Sequence, residues 1–466
     1  MKNHDKDSDF QPSRRKALKT IGAGAVLASI GGWMGACSGG SKRSEETSVK
    51  ADGGMTYRVN PTTGDKVSLL GYGCMRFPTI PDTDGVLDQE AINELVDYAM
   101  AHGVNYYDTS PAYCRGHSEE ATGIALSRYP RDSYFVATKL SNFAPQTWTR
   151  ERSEQMYWDS MKNLQVDYID YMLLHSVGQG GMERFSKRYE ENGILDFLIN
   201  ERKEGRIRNL GFSYHGDIAV FDYLLKLHDE GRVHWDFVQI QLNYVDWLHA
   251  KEVNTSNTNG EYLYNELWNR GIPSVIMEPL LGGRLASLPP NLTDVLKQER
   301  PDDTIATWAF RYAGTPEGVL TVLSGMTYMD HLKENVVTYS PLESITDEED
   351  HVLQRVATMM LQYPMIDCNT CDYCMPCPYG LDIPTIFAHY NKMVNNGSIV
   401  TDKMDPTYVK ARRDFLVGLS RKVPETRQAG RCVNCNECLS HCPQSINIPQ
   451  EMARIHAYTE ELRRNG

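Results

Sequence analysis

Between residues 66 and 337 short apolar runs alternate with amphipathic ones, and this alternation constrains the fold more than any other feature of the chain. Strand-like runs lie at 67–71, before Asp108, and at 134–139, 169–175, 207–213, 237–242, 274–278 and 318–323. Helical periodicity follows each of them, at 88–102, 118–127, 150–164, 194–204, 218–228, 261–270, 304–313 and 330–337. That is the pattern of parallel strands joined by crossover helices. Eight such units imply an α/β chain folded as a (β/α)8 TIM barrel, with its site at the C-terminal face of the strands. The barrel is expected over 55–345. At 466 residues the chain exceeds one ordinary domain, and 41% hydrophobic with 23% charged residues is a composition that buries a large core and excludes wholesale disorder.

The strand ends carry the chemistry. Asn105-Tyr-Tyr-Asp108-Thr-Ser-Pro-Ala-Tyr113 closes an apolar run on an acid and adds a phenol five residues on. The next run closes on Lys139 and the fourth on His175. Taken singly, each is the residue of a cap, a core phenol or a solvated charge; four in order, each at a strand end, point to one site. Such a set can reduce a carbonyl, because hydride arriving at carbon leaves negative charge on oxygen that needs a proton donor and nearby donors or cations. Tyr113 is the expected acid. Lys139 is expected to lower its pKa, Asp108 to hold Lys139, and His175 to orient and polarise the carbonyl.

In these four residues the sequence resembles the aldo-keto reductase family, over roughly residues 55 to 340. The resemblance implies a nicotinamide cofactor, NAD(P), and a small-molecule carbonyl or alcohol substrate. It implies that Ser213 and Gln241 hydrogen-bond the nicotinamide carboxamide. Leu281-Gly282-Gly283 and Ser324-Gly325-Met326 would line the pyrophosphate with backbone N–H groups, and Glu334 and Asn335 would approach the adenine. The family's basic motif for a 2'-phosphate is not evident: no Lys or Arg falls between Met326 and Lys333, so NAD and NADP both stay open. Met277 stands where the family stacks an aromatic on the nicotinamide. Substrate-side segments are 78–88, 176–192 and 244–260, the last with Trp247 and His249 as candidates to face a sugar ring. Cys74 and Cys114 read as small wall residues, with no base partner to make either a nucleophile.

Past residue 346 the alternation stops and cysteine takes over, defining a second, mainly helical unit over 346–466. Cys368-x2-Cys371-x2-Cys374-x2-Cys377-Pro378 is followed by Cys432-x2-Cys435-x2-Cys438-x3-Cys442-Pro443. Eight thiolates suit two 4Fe-4S clusters, since loops with two-residue gaps aim three sulfurs at one cluster and the fourth, before Pro, is free to reach another. Zinc sites usually show two separated Cys-x2-Cys pairs, and disulfides would not need such crowding. Gly380-Leu-Asp-Ile-Pro384 and Ser445-Ile-Asn-Ile-Pro449 each open an amphipathic helix, and the whole resembles a bacterial ferredoxin-type module. The first motif has two residues, not three, before its last cysteine. Crossed ligation by Cys377 and a single cluster with spare cysteines are both open.

Residues 1–37 read as a targeting segment. Ser13-Arg14-Arg15-Lys16-Ala17-Leu18-Lys19 before a Gly/Ala-rich apolar run resembles a twin-arginine signal, and Met34-Gly35-Ala36-Cys37 resembles a lipobox whose Cys37 would be acylated, against simple cleavage or an uncleaved anchor. Residues 38–54 form a tether. A twin-arginine route exports folded proteins with cofactors seated, so a periplasmic or cell-envelope location is expected, with Cys37 as the one lipid anchor. The net charge of -13 and the lack of a basic stripe argue against a nucleic-acid partner. The expected function is hydride transfer between a carbonyl or alcohol, such as a sugar, and bound nicotinamide, with clusters that stabilise the second unit or serve an electron-transfer partner. The alternative is an electron-transfer or redox-sensing protein that uses the barrel as a docking scaffold.

Overall fold

The computed structural model describes residues 54–464 apart from 84, together with the backbone of a two-residue strand, Ser48–Val49. The expected signal, its Cys37 and nearly all of the tether lie outside the described residues. Eight parallel strands close a barrel in chain order: β1 (Leu70–Gly73), β2 (Tyr106–Asp108), β3 (Phe135–Leu140), β4 (Ile169–Val177), β5 (Ile207–Tyr214), β6 (Phe237–Gln241), β7 (Ser274–Met277) and β8 (Val319–Ser324). Closure comes from β8 on β1, with Val322 opposite Leu70 and Ser324 opposite Tyr72. Helices such as Gln89–Ala101, Arg150–Leu164 and Ile218–Asp229 cover the outside, and Asp88, Thr149 and Asp217 cap their first turns.

One expected strand is corrected. The apolar run 67–71 is two elements: Lys66–Ser68 pairs antiparallel with Tyr57–Val59 in a separate three-stranded sheet, and only from Leu70 does the chain enter the barrel. Val67 from that sheet joins the barrel's interior cluster.

Alternation along each strand fixes what faces inward. Tyr106, Ala137, Tyr171 and Leu173 fill the interior with Phe237, Val275 and Leu320, whereas Tyr107, Val136, Met172 and Leu174 pack outward against the helices. Two residues beyond Tyr106, Ala137 and Leu173, on the same inward face and at the C-terminal end, stand Asp108, Lys139 and His175.

Helix Asp347–Met360, whose N-terminus is a capping box of Thr346 and Glu349, follows the barrel and packs Leu353, Val356 and Met360 into the barrel's own core. Three further helices, Ile383–Asn395, Tyr408–Lys422 and Ile448–Arg464, pack Phe387, Tyr390, Phe415, Leu419, Met452 and Ile455 into a core of their own. This unit is docked on the barrel: Arg284 pairs with Asp367, Asn395 Nδ2 donates to the Ser287 carbonyl at 2.6 Å, and Tyr363 donates to Asn291 at 2.8 Å. No helix of the described residues is long and apolar enough to cross a membrane.

Candidate functional site

The four strand-end residues converge. Lys139 Nζ bonds Asp108 Oδ1 at 2.5 Å and the Thr109 carbonyl at 2.9 Å. It also lies 4.8 Å from the centroid of the Tyr113 ring. The Tyr113 and His175 rings meet edge-on at 5.9 Å. Tyr113 Oη makes no hydrogen bond among the described residues and opens on a cavity. His175 is held from behind: Arg188 Nη2 and Tyr189 Oη donate to its carbonyl at 2.7 and 3.0 Å. Its Nδ1 lies 2.6 Å from Ser141 Oγ, which is 2.8 Å from Ser110 Oγ, and Ser110 accepts from the Ala112 amide at 3.1 Å. In one assignment that satisfies this row, Ala112 N–H donates to Ser110, Ser110 to Ser141 and Ser141 to His175 Nδ1. That assignment leaves the ring proton on Nε2.

Burial, then the Lys139 charge, holds His175 well below its ordinary value, so the imidazole is neutral. Burial also pushes Asp108 up and Lys139 down, while their mutual hydrogen bond opposes both shifts. The expected lowering of the Tyr113 pKa is not what this geometry gives. Burial and then Asp108 raise it well above 10, and Lys139 is engaged with Asp108 and Thr109, over the face of the ring. Tyr113 therefore keeps its proton.

A cavity of about 390 Å³ runs from Asp108, Tyr113 and His175 past Gln239 to Ser324, Gly325 and Asn335. Gly283 and Glu334 also line it, whereas Ser213, Gln241, Leu281 and Met326 do not. The reasons differ. Ser213 Oγ is taken by the Ser176 amide at 2.8 Å, and the Leu281 and Met326 side chains are buried. Gln241 is also buried, and Gln239, two residues back on the same strand face, reaches the wall in its place. Gln239 Oε1 is buried without a partner among the described residues, as an unfilled position for an amide-bearing ligand would be. Asn335 Nδ2 donates to Ser324 Oγ at 3.0 Å, and Glu334 accepts from Thr304. These residues fit a dinucleotide lying across the ends of β6 to β8. A second cavity of about 1060 Å³ opens outward from Tyr113 between Phe77, Phe143, Trp148 and Arg184.

The second unit closes over both cavities. Cys371 and Tyr373 line each of them. Asn369 donates to Glu278 at 2.8 Å, and Arg76 donates to the Asn369 carbonyl. The thiols fall into two crossed sets. Beyond burial, Cys374 is raised by Cys371, Cys368 and Cys442, so the last cysteine of the second motif sits with the first three. Cys438 is pushed up to about 11 by burial, then by Cys432, Cys435 and Cys377. A cavity of about 390 Å³ is walled by Cys377, Cys432, Cys435 and Cys438, together with Cys374. Among the described residues no three His, Cys, Asp or Glu side chains are arranged for a single ion. A cubane does not require that, since each thiolate binds its own iron, and the crossed sets fit two such clusters.

Residues 69–349 match the profile of the aldo/keto reductase family. The chain belongs to that family. Residues 367–447 match a 4Fe-4S dicluster domain, so this is an aldo/keto-reductase-like oxidoreductase with a C-terminal iron–sulfur domain. L-galactose dehydrogenase of Arabidopsis thaliana is 26% identical over 312 residues, covering 64% of this chain and 92% of that one. The NADH-specific methylglyoxal reductase of Escherichia coli (strain K12) is 26% identical over 310 residues, covering 59% and 90%. Among solved structures, aldo-keto reductase AKR11C1 from Bacillus halodurans in its holo form aligns with a TM-score of 0.51 at 25% identity, over 65% of this chain and 96% of that one.

Within this aldo/keto reductase some sequence candidates fall away from the site. Trp247 is buried against Tyr264, at 5.9 Å between ring centroids, and His249 faces Glu252 on the helix Asp246–Val253, so neither lines the substrate-side cavity. Cys114 does line it, and Cys74 is fully buried. Sequence reading passed over Ser110, Ser141, Gln239, Arg76 and Tyr373. Ser141 and Gln239 had a signal, each lying two residues from a chosen residue on the same strand face. Arg76 and Tyr373 had none, because their role depends on how the two units meet.

Proposed function

We propose that this protein transfers hydride between NAD(P)(H) and a small carbonyl or alcohol, with Asp108, Tyr113, Lys139 and His175 as the catalytic set. One observation carries the reading: the unpartnered Tyr113 hydroxyl, the neutral His175 ring and Asp108, which is paired with the buried Lys139, border a single cavity that continues to Ser324, Gly325 and Asn335. Bound NAD(P)H supplies the hydride. His175 donates through Nε2 to the substrate oxygen and orients it. Tyr113 gives its proton to that oxygen as charge develops there, and the Lys139 ammonium beside the ring stabilises the anionic phenol that results. Water in the outer cavity returns the proton. Replacing Tyr113 with Phe is expected to lower kcat by about 10²–10⁴-fold while nicotinamide affinity, read by fluorescence, stays within about twofold. Unchanged turnover in that variant would remove the acid role.

NAD(H) is favoured over NADP(H). The cavity's adenine-side wall carries Glu334 and His331, and the nearest basic side chain in sequence, Lys333, turns to the Tyr98 ring, 5.9 Å from its centroid. A carboxylate suits ribose hydroxyls and repels a 2'-phosphate. A sugar-like substrate agrees with the wide, aromatic-lined outer cavity and with the L-galactose dehydrogenase relative. Two 4Fe-4S clusters on the crossed thiol sets, the outer with Cys435 exposed, support passage of electrons to a protein partner. The Arg14-Arg15 segment supports export by the twin-arginine route to the periplasm or cell envelope, with lipid attachment at Cys37. Retention in the cytoplasm of wild type and of an Arg14→Lys, Arg15→Lys variant alike would remove that assignment.

A further inference from the structure

Tyr373 belongs to the iron–sulfur domain, yet it lines the outer cavity, the cavity at the catalytic set and the cavity walled by the second thiol set. Its ring lies 6.0 Å from that of Phe143, which lies 4.8 Å from His175. Its hydroxyl makes no hydrogen bond among the described residues. Two phenols, one from each unit, thus face one space. The loop that carries Tyr373 is bounded by two thiols, Cys371 and Cys374, and turns through left-handed residues at Thr370 and Asp372.

We propose that Tyr373 is a substrate-binding residue, donating to a hydroxyl or carbonyl oxygen next to the reacting one on a polyhydroxylated substrate. The barrel's active site is then incomplete until the cysteine loop is folded and docked. This rests on the oxidoreductase reading above and adds to it a substrate contact from outside the barrel. It also gives the domain a role in catalysis that needs no electron to pass between cluster and nicotinamide. A buried donor left without its partner oxygen discriminates strongly against ligands that lack a hydroxyl there.

The test uses the full chain with its clusters assembled, as wild type, Tyr373→Phe and Tyr373→Ala. The readouts are iron and sulfide content, NADH affinity by fluorescence, steady-state constants on a panel of aldoses, ketoses and propanal, and calorimetric affinity for the matching sugar lactones and alditols. Iron content and NADH affinity are expected to stay within about twofold of wild type. KM for sugars and the lactone or alditol Kd are expected to rise about tenfold or more in Tyr373→Phe, with kcat little changed and with a smaller effect on propanal, which has no oxygen next to its carbonyl. Sugar KM and ligand Kd unchanged in both variants, at wild-type iron, would overturn the proposal and leave the reductase reading standing. Binding that depends on Tyr373 in a wild type that turns over no panel member would overturn the reductase reading alone. A wild type that neither binds nor turns over any member overturns both.

Discussion

Lys139 and Asp108 have side chains 1% and 3% exposed, so each is a charge that water cannot stabilise. Such a pair adds little net stability, but removing one member leaves the other uncompensated, at a cost of roughly 3–5 kcal/mol. Lys139→Met is therefore expected to lose both activity and stability. The double variant Lys139→Met, Asp108→Leu should recover most of the stability in denaturant unfolding and none of the turnover. Equal destabilisation of single and double variants would mean that the ion pair is not what the interior is built around. Asp246 presents a different problem. Its Oδ2 accepts from Asn243 at 2.7 Å, its Oδ1 has no partner among the described residues, and burial pushes it up to about 7 from an ordinary 3.8. A raised acid binds more protons folded than unfolded, so its contribution is present below about pH 3.8 and is lost as pH rises through about 7. Asp246→Asn should raise Tm at pH 8 by more than at pH 5, and a gain independent of pH would refute the shift.

At the scale of elements, the crossed thiol sets make a prediction that separates them from two self-contained motifs. With crossing, Cys368→Ser with Cys442→Ser strikes one cluster, and Cys368→Ser with Cys377→Ser strikes two. Iron analysis should therefore find about four of about eight irons lost in the first double variant and more in the second. The reverse order would show each motif holding its own cluster. The elements themselves were largely legible: helix Arg150–Leu164 has the expected bounds, and β2, β3 and β6 to β8 fall within a residue or two of expectation, because length and turn residues separate strand from helix here. The first strand was not. Ser68 pairs with Tyr57 and Leu70 with Val322, so the chain changes sheet at Leu69 inside an unbroken apolar run, and composition does not mark the corner. The inward aim of Asp108, Lys139 and His175 followed from alternation. The engagement of Ser213 by Ser176 did not, since it depends on where a left-handed residue turns the end of β4.

The whole molecule depends on a contact that neither unit's sequence announces. Gly282, at the end of the β7 loop, has φ +67, and a Cβ there would lie 2.4 Å from Asn369 Cα, inside the first cysteine motif between Cys368 and Cys371. Gly283 has φ +94 and nothing within 4 Å of its would-be Cβ. Alanine at either position meets a left-handed backbone, at a cost of order 1 kcal/mol. Only at 282 does it also push against the iron–sulfur domain, and the backbone of Asn369 cannot give way as a side-chain tip could. Displacing it breaks the Asn369 bond to Glu278 and the Arg76 bond to the Asn369 carbonyl, which together bring Cys371 and Tyr373 over the site. The pair of variants therefore separates backbone strain from docking. Gly283→Ala should show a modest loss of Tm with normal activity. Gly282→Ala should leave the helical core around Phe387, Phe415 and Met452 folded, yet lose amide-exchange protection across 366–375 and lose activity on sugars. Equal behaviour of the two variants would mean that the domain is held elsewhere, through Arg284–Asp367 and Asn395–Ser287, and that the cysteine loop closes the site without needing Gly282.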